Sequence, residues 1–125
     1  MIFGIGTDLI EVNRVAEKIE KTEQFKHHVF SAREIEYCES KKIKKYESYA
    51  ARFAAKEALF KALGTGWTSG TAFNEVEILN DEHGKPEFIF YGNTKNYIND
   101  LKFVKISLSL SHINEIAMAM VIIER

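Results

Sequence analysis

The sequence contains few of the residues that stabilise or anchor a protein by special means. Cys38 is its one cysteine among 125 residues, so an intrachain disulfide is excluded and a reducing cytoplasmic location is expected. It has no apolar run of about twenty residues and begins Met-Ile-Phe-Gly without a basic cluster, which predicts neither a membrane span nor a secretory signal. A net charge of -1 argues against non-specific nucleic-acid binding.

The remaining composition is that of an ordinary globular protein. Hydrophobic residues make up 46% and charged residues 28% of the chain, which is long enough to bury a core. Because no linker, repeat or low-complexity segment interrupts it, residues 1–125 are expected to form one domain.

Residues 52–66 predict a buried central helix, because alanine, leucine, lysine and glutamate fill them. The helix is apolar around most of its circumference, so its few charged side chains need partners. Glu57 lies close to Phe53 and Phe60, where an unpaired carboxylate would be costly. Either Lys61, four residues further on, forms an ion pair with Glu57, or a metal ion binds it.

A first strand is predicted over residues 2–10, and it carries the second unusual carboxylate. Gly4, Gly6 and Asp8 fall on one face of this strand, and the glycines let a helix or a ligand approach closely. Asp8 is an acid in an otherwise apolar strand, which is uncommon unless the carboxylate is ligated or hydrogen-bonded.

Helices are predicted over residues 11–21, 25–30 and 94–101, and a capping box at Ser31-x-x-Glu34 predicts another that runs to residue 40. The lysines that follow it are interpreted as a solvated bend leading into the central helix, and they are Lys41, Lys42, Lys44 and Lys45. Strands at 73–79 and 87–91 flank a segment dense in turn-forming residues, which predicts a hairpin. Cys38 is interpreted as a packing residue, because no activating base lies near it in the sequence.

A second hairpin is predicted at the end of the chain, with strands at 105–112 and 116–123. The return strand is apolar on both faces, so it is either central in a sheet or covered by another subunit, and we favour a subunit. His112 falls where the first of these strands meets the turn. It is either a structural histidine or part of a site.

Asp8 and Glu57 together are a poor match to zinc, because no Cys/His cluster accompanies them. They match Mg²⁺ better, since that ion commonly takes one or two protein carboxylates, several waters and phosphate oxygens. Lys56 and Lys61 would meet the remaining phosphate charge. The residues themselves therefore indicate Mg²⁺-dependent phosphate-ester or pyrophosphate chemistry.

At these residues the sequence resembles the holo-acyl-carrier-protein synthases, a group of 4′-phosphopantetheinyl transferases. The resemblance covers the whole chain in order. Its segments are Gly-Ile-Gly-Thr-Asp at 4–8, Arg-Phe-Ala-Ala-Lys-Glu-Ala-Leu-Phe-Lys-Ala-Leu-Gly-Thr-Gly at 52–66, the Gly-Lys-Pro that closes 80–86, Ser-Leu-Ser-His at 109–112 and the closing Val-Ile-Ile-Glu-Arg.

The resemblance implies an α+β fold with a mostly antiparallel sheet packed on a long central helix. It implies a homotrimer with active sites at subunit interfaces. The implied reaction transfers the 4′-phosphopantetheine group of coenzyme A to a serine of an apo acyl carrier protein, releases 3′,5′-ADP and serves fatty acid biosynthesis. Which group accepts the serine proton is left open.

The resemblance also implies roles for single residues. Asp8 and Glu57 would hold Mg²⁺, with Lys61 as a third catalytic residue. The residues implied to contact coenzyme A are Arg52, Lys56, Lys61, Gly64, Gly66 and His112.

Basic residues on the predicted helix 11–21 and just beyond form a face that is either solvated or suited to an acidic partner. They are Arg14, Lys18, Lys21 and Lys26. In the resembled family this helix faces the carrier protein. Relatives often have arginines there, and lysines keep the charge but lose bidentate hydrogen bonding.

Two other functions are compatible with the same residues. One is a non-catalytic regulator that binds coenzyme A or a nucleotide. The other is a small structural trimer in which Asp8, Glu57 and Lys61 form only internal ion pairs.

Overall fold

The computed structural model describes residues 1–64 and 70–125. Short 3-10 turns at Lys42–Lys44 and Phe73–Glu75 supplement its helices and strands. In chain order, the elements within those residues are β1 (Ile2–Glu11), α1 (Val12–Lys21), α2 (Glu23–Val29), α3 (Ala32–Ser40), α4 (Lys45–Leu63), β2 (Val76–Asn80), β3 (Pro86–Phe90), α5 (Gly92–Leu101), β4 (Lys105–His112) and β5 (Ile116–Glu124).

The strands of the described residues form two antiparallel sheets. One has the order β1-β5-β4, and the other is the hairpin of β2 and β3. The return strand β5 is thus central in its sheet, with Asp8 of β1 opposite Ala119 on one side and Leu110 of β4 on the other. The predicted α+β class with mostly antiparallel strands is confirmed.

Helix α4 is the centre of the molecule. It contacts β1, β4 and β5 on one side and α1, α3 and β2 on others, which explains why its sequence is apolar around most of its circumference. A Cβ atom on Gly4 would overlap the carbonyl oxygen of Ala62, and one on Gly6 would overlap that of Ala58. The two glycines therefore serve the close packing of α4 on β1.

Capping residues set the ends of two helices. The Ser31 hydroxyl accepts a hydrogen bond from the Glu34 amide at 3.2 Å, and the Glu34 carboxylate accepts one from the Ser31 amide at 2.9 Å, so the predicted capping box is confirmed. Helix α4 ends at Gly64, whose φ of 80° is the left-handed conformation that glycine adopts most readily.

Local structure differs from the sequence prediction around two segments. Helix α4 begins at Lys45, within the run of lysines predicted to be a solvated bend. The strand predicted from Phe73 begins at Val76, because Phe73–Glu75 form a 3-10 turn. The Glu75 carboxylate accepts a hydrogen bond from the Thr94 amide at 3.1 Å, and this contact joins the turn to the start of α5.

Candidate active site

Asp8 and Glu57 lie in the same cleft. Asp8 continues the glycine face of β1 that packs against α4, and Glu57 precedes Ala58, which contacts that face. The cleft has a volume of about 300 Å³. Its lining residues are Asp8, Leu9, Ile10, Arg14, Val15, Lys18, Phe53 and Glu57.

The two carboxylates have different environments. Burial raises the pKa of Glu57, and the nearby Asp8 raises it further, whereas Lys61 and Lys18 act in the opposite direction. The part of the chain that the structure describes offers Glu57 no ion-pair partner. The Nζ atom of Lys61 instead lies 3.0 Å from Asp8 Oδ1 and 3.0 Å from the carbonyl oxygen of Thr7. The Glu57–Lys61 pair considered from the sequence is therefore not formed.

The two carboxylates of this cleft match a hard divalent cation that takes only a few ligands from the protein and the others from water and substrate. Within residues 1–64 and 70–125, no three His, Cys, Asp or Glu side chains come together as a metal site. Two carboxylates are nevertheless what Mg²⁺ commonly takes from a protein, with waters and phosphate oxygens completing its shell. Glu57 is half-buried, lies next to a second carboxylate and has no ion-pair partner among residues 1–64 and 70–125, and this arrangement fits that ion.

Of the four basic residues predicted to bind a partner, two line the carboxylate cleft and two lie outside it. Arg14 and Lys18 of α1 line the carboxylate cleft, with the Lys18 ammonium 5.7 Å from the ring centroid of Phe25 and 5.8 Å from that of Phe53. Lys21 is exposed in the last turn of α1. Lys26 lies on α2 and forms an ion pair with Glu39 at 3.6 Å. Arg14 and Lys18 thus bring positive charge to the cleft, and Lys21 adds exposed positive charge further along α1.

Arg52 and His112 line a second cleft, of about 380 Å³, at the start of α4. The guanidinium of Arg52 is buried and lies 4.2 Å from the centroid of the Tyr37 ring. Its Nη1 donates to Ser48 at 3.3 Å, but its Nε and Nη2 have no hydrogen-bond partner among the described residues. A buried cation with unpaired donors is costly unless a ligand completes it, so this arrangement suits an anion.

His112 borders this second cleft from the end of β4. Its Nδ1 lies 2.9 Å from Glu47 Oε1, and its side chain is 42% exposed. The remaining residues that line the cleft are Tyr37, Lys41, Lys44, Ser48, Ala51, Asn80, Gly84, Pro86 and Leu110.

The structure places Lys56, a predicted coenzyme A contact, in the core. Its side chain is fully buried, and its ammonium donates to Glu34 Oε1 at 2.7 Å and to the carbonyl oxygens of Val29 and Phe73. Burial acts to lower the pKa of Lys56, and the Glu34 carboxylate opposes that effect. With its donors engaged in the core, Lys56 lines neither the carboxylate cleft nor the second cleft.

The predicted glycines and the cysteine are placed as follows. Gly64 ends α4, while Gly66 lies outside the described residues. Cys38 is fully buried, and its thiol donates to Ser48 at 3.3 Å. Burial raises the pKa of Cys38 to about 11, so it is a neutral thiol at physiological pH, as the packing interpretation requires.

Sequence reasoning missed the lysines of the second cleft. Lys41 and Lys44 were interpreted as part of a solvated bend, yet both line the cleft that contains Arg52. Their position shortly before Arg52 in the chain was the available signal, because a helix that begins at Lys45 brings its preceding turn close to its first turns.

Comparisons with known proteins identify the family to which the chain belongs. The family model of the 4′-phosphopantetheinyl transferase superfamily matches residues 4–120. A holo-[acyl-carrier-protein] synthase from Ruminiclostridium cellulolyticum is 50% identical over 120 residues, covering 95% of this chain and 90% of that protein. The chain therefore belongs to the 4′-phosphopantetheinyl transferase superfamily.

Two solved structures define the fold more closely. The holo-[acyl-carrier-protein] synthase of Neisseria meningitidis superposes with a TM-score of 0.89 at 31% identity, covering all of both chains. The synthase of Bacillus anthracis, solved in complex with CoA (3′,5′-ADP), superposes with a TM-score of 0.81 at 35% identity, covering 99% of this chain and 97% of that one.

Proposed function

We propose that this chain transfers the 4′-phosphopantetheine group of coenzyme A to a serine hydroxyl of an apo acyl carrier protein and releases 3′,5′-ADP. The observation that carries the proposal is the cleft in which Asp8 and Glu57 lie beside the ammonium groups of Lys61 and Lys18. Its relatives named holo-[acyl-carrier-protein] synthase, one of them solved with coenzyme A, support the substrate pair.

Asp8 and Glu57 are the residues that would hold Mg²⁺. When bound, this ion would neutralise charge on the pyrophosphate during the transfer. Lys61 is on the same helix as Glu57 and is half exposed, so its ammonium would be able to exchange its contact with Asp8 for a phosphate oxygen of the substrate. Electrostatic stabilisation and positioning dominate phosphoryl transfer in general, and these residues supply both.

Arg14, Lys18 and Lys21 of α1 would receive the carrier protein. Their charge at the mouth of the cleft would attract an acidic partner and bring its serine towards the carboxylates. Lys26 contributes less to this surface, because Glu39 already neutralises part of its charge.

Arg52 and His112 would bind coenzyme A from a second copy of the chain. They lie in a cleft whose residues are separate from those of the carboxylate cleft. Asp8 is on β1 at one edge of the three-stranded sheet and His112 is on β4 at the other. In a ring of three chains, each interface would join the β1 edge of one chain to the β4 edge of the next.

An exposed apolar face of the same sheet would be covered when the chains assemble. The side of the sheet that faces away from α4 exposes large apolar side chains on β1 and β5, and serines accompany them on β4. An apolar patch of this kind marks an interaction surface. Its apolar members are Phe3, Ile5, Leu9, Ile116, Met118 and Met120.

The test is to incubate the protein with coenzyme A, Mg²⁺ and an apo acyl carrier protein and to weigh the carrier by mass spectrometry. A gain of one phosphopantetheine, lost with EDTA and in Glu57→Gln, is expected. Full activity of Glu57→Gln at low Mg²⁺ would contradict the assignment of Glu57 as a metal ligand. Binding of coenzyme A without transfer to several carriers would favour a regulator that only binds coenzyme A.

A further inference from the structure

Lys61 forms an ion pair with one of the two carboxylates of the cleft, Asp8, and not with Glu57. Its Nζ contacts Asp8 Oδ1 and the Thr7 carbonyl oxygen, each at 3.0 Å. Glu57 is four residues before Lys61 on α4, yet no described side chain pairs with it. One of the two metal-binding carboxylates is thus already neutralised by the protein's own cation.

The mobility expected of the two partners also differs. The Lys61 side chain is 56% exposed, whereas that of Asp8 is 16% exposed and belongs to a strand paired on one side with β5. Lysine is a long side chain with four rotatable bonds, and an exposed lysine changes rotamer within nanoseconds. The ammonium can therefore leave while the carboxylate stays in place.

We propose that Lys61 is a tethered counter-ion of Asp8 that competes with the divalent cation until a phosphate of coenzyme A draws its ammonium away. The inference rests on the proposed function, since it assumes that Asp8 and Glu57 are the metal ligands. A divalent ion on Asp8 would lie close to the Lys61 ammonium, and the two like charges repel each other in a partly desolvated cleft. A phosphate of the substrate can replace Asp8 as the partner of Lys61, because the lysine ammonium binds phosphate as a point charge.

The proposal has a consequence for the order of binding. The protein without coenzyme A binds the cation weakly, because Asp8 is engaged. Once Lys61 has moved to a phosphate, Asp8 is free, so metal and coenzyme A favour each other's binding through this lysine as well as through direct coordination.

The experiment titrates Mn²⁺ alone against the full-length protein without coenzyme A and measures free Mn²⁺ by electron paramagnetic resonance. Lys61→Gln is expected to bind Mn²⁺ about three- to fivefold more tightly than the unaltered protein. A change in affinity of that size is what the loss of one partly exposed ion pair can produce. Lys61→Arg keeps the charge and should bind like the unaltered protein. The Glu57→Gln/Lys61→Gln double variant should lose the site, which assigns the signal to this cleft.

Lys18→Gln is the matched control, because it removes one positive charge from the same cleft without breaking the contact to Asp8. A smaller increase in Lys18→Gln than in Lys61→Gln supports direct competition. An equal increase of Mn²⁺ affinity in both variants would contradict direct competition and indicate a general electrostatic effect of the removed charge. An unchanged Mn²⁺ affinity in Lys61→Gln would also contradict the proposal.

The same samples separate this inference from the proposed function. If Mn²⁺ binds none of the proteins at this site, even with coenzyme A present, the metal assignment of Asp8 and Glu57 fails and the inference fails with it. If Lys61→Gln binds Mn²⁺ more tightly as expected but the unaltered protein modifies no carrier, the competition is supported and the proposed transfer is contradicted.

Discussion

Lys56 and Glu57 are neighbours in the chain with opposite environments. Side chains of adjacent helical residues point about 100° apart, so one can enter the core while the other faces a cleft. Lys56 is fully buried and donates to Glu34 and two carbonyl oxygens. Glu57 is half-buried beside Asp8, and burial raises its pKa. The residue in the core is therefore expected to contribute to stability, and the residue in the cleft is the one proposed to hold the metal.

Replacing Lys56 with methionine should destabilise the protein by about 3–5 kcal/mol, because it leaves the buried Glu34 carboxylate without its cation. Lys61→Met is the matched control on the same helix and should cost less than about 1 kcal/mol, since its pair with Asp8 is half exposed. Urea denaturation followed by circular dichroism measures both. Similar losses in the two variants would contradict the structural assignment of Lys56.

Glu77 should make stability depend on pH. Burial acts to raise the pKa of Glu77, but hydrogen bonds from Ser31, Arg33 and Tyr91 outweigh it and hold the pKa below its ordinary value. Stability from this group is therefore complete above the unfolded pKa of about 4.3 and is lost as pH falls through the lower folded pKa.

We expect Glu77→Gln to cost roughly 1 kcal/mol at pH 7 and to approach the stability of the unaltered protein as the pH falls below about 4. Urea midpoints measured across this pH range check the sign. A gap between the two proteins that widens on acidification would contradict it.

At the scale of elements, the contact between β1 and α4 positions the two carboxylates. A Cβ at Gly6 would overlap the Ala58 carbonyl oxygen and lie 2.8 Å from the Ala62 amide nitrogen. Gly6→Ala should therefore push α4 away from β1, cost about 1–3 kcal/mol and weaken the proposed transferase activity, because Asp8 and Glu57 separate.

Gly84→Ala provides the comparison for stability. Its Cβ would meet nothing within 4 Å, so only its φ of 84° adds strain, of about 1 kcal/mol. Thermal unfolding and Mn²⁺ affinity together test the pair. If Gly6→Ala loses stability but binds Mn²⁺ like the unaltered protein, the packing does not set the carboxylate geometry.

How far the sequence predicts the structure depends on the range of the interactions. The capping box at Ser31, the central helix and the closing hairpin follow from local patterns and are confirmed. The partner of Lys56 does not, because Glu34 is 22 residues away and comes close only in the folded chain. The division of the predicted site into two clefts likewise depends on which edge of the sheet each strand occupies.

At the scale of the whole molecule, the exposed apolar face predicts assembly. Met118 lies on the central strand β5 and is 39% exposed. If the proposed trimer forms, Met118→Lys should shift it to monomer in light scattering and abolish the proposed transfer, because a charge at the centre of an interface is poorly tolerated. Ile43→Lys, at a position that is 94% exposed in the 3-10 turn before α4 and outside the apolar sheet face, should leave the oligomeric state unchanged. A Met118→Lys protein that remains trimeric and active would place the interface elsewhere.

Mixing two inactive variants tests whether one site needs two chains. Glu57→Gln damages the carboxylate cleft, and Arg52→Gln damages the cleft at the start of α4. If each active site takes one cleft from each of two neighbours, randomly mixed trimers contain both intact clefts at about one quarter of their interfaces. Unfolding and refolding the two variants together should then restore about that fraction of activity. If both clefts act within one chain, every site in the mixture carries one defect, and activity stays at the level of the separate variants.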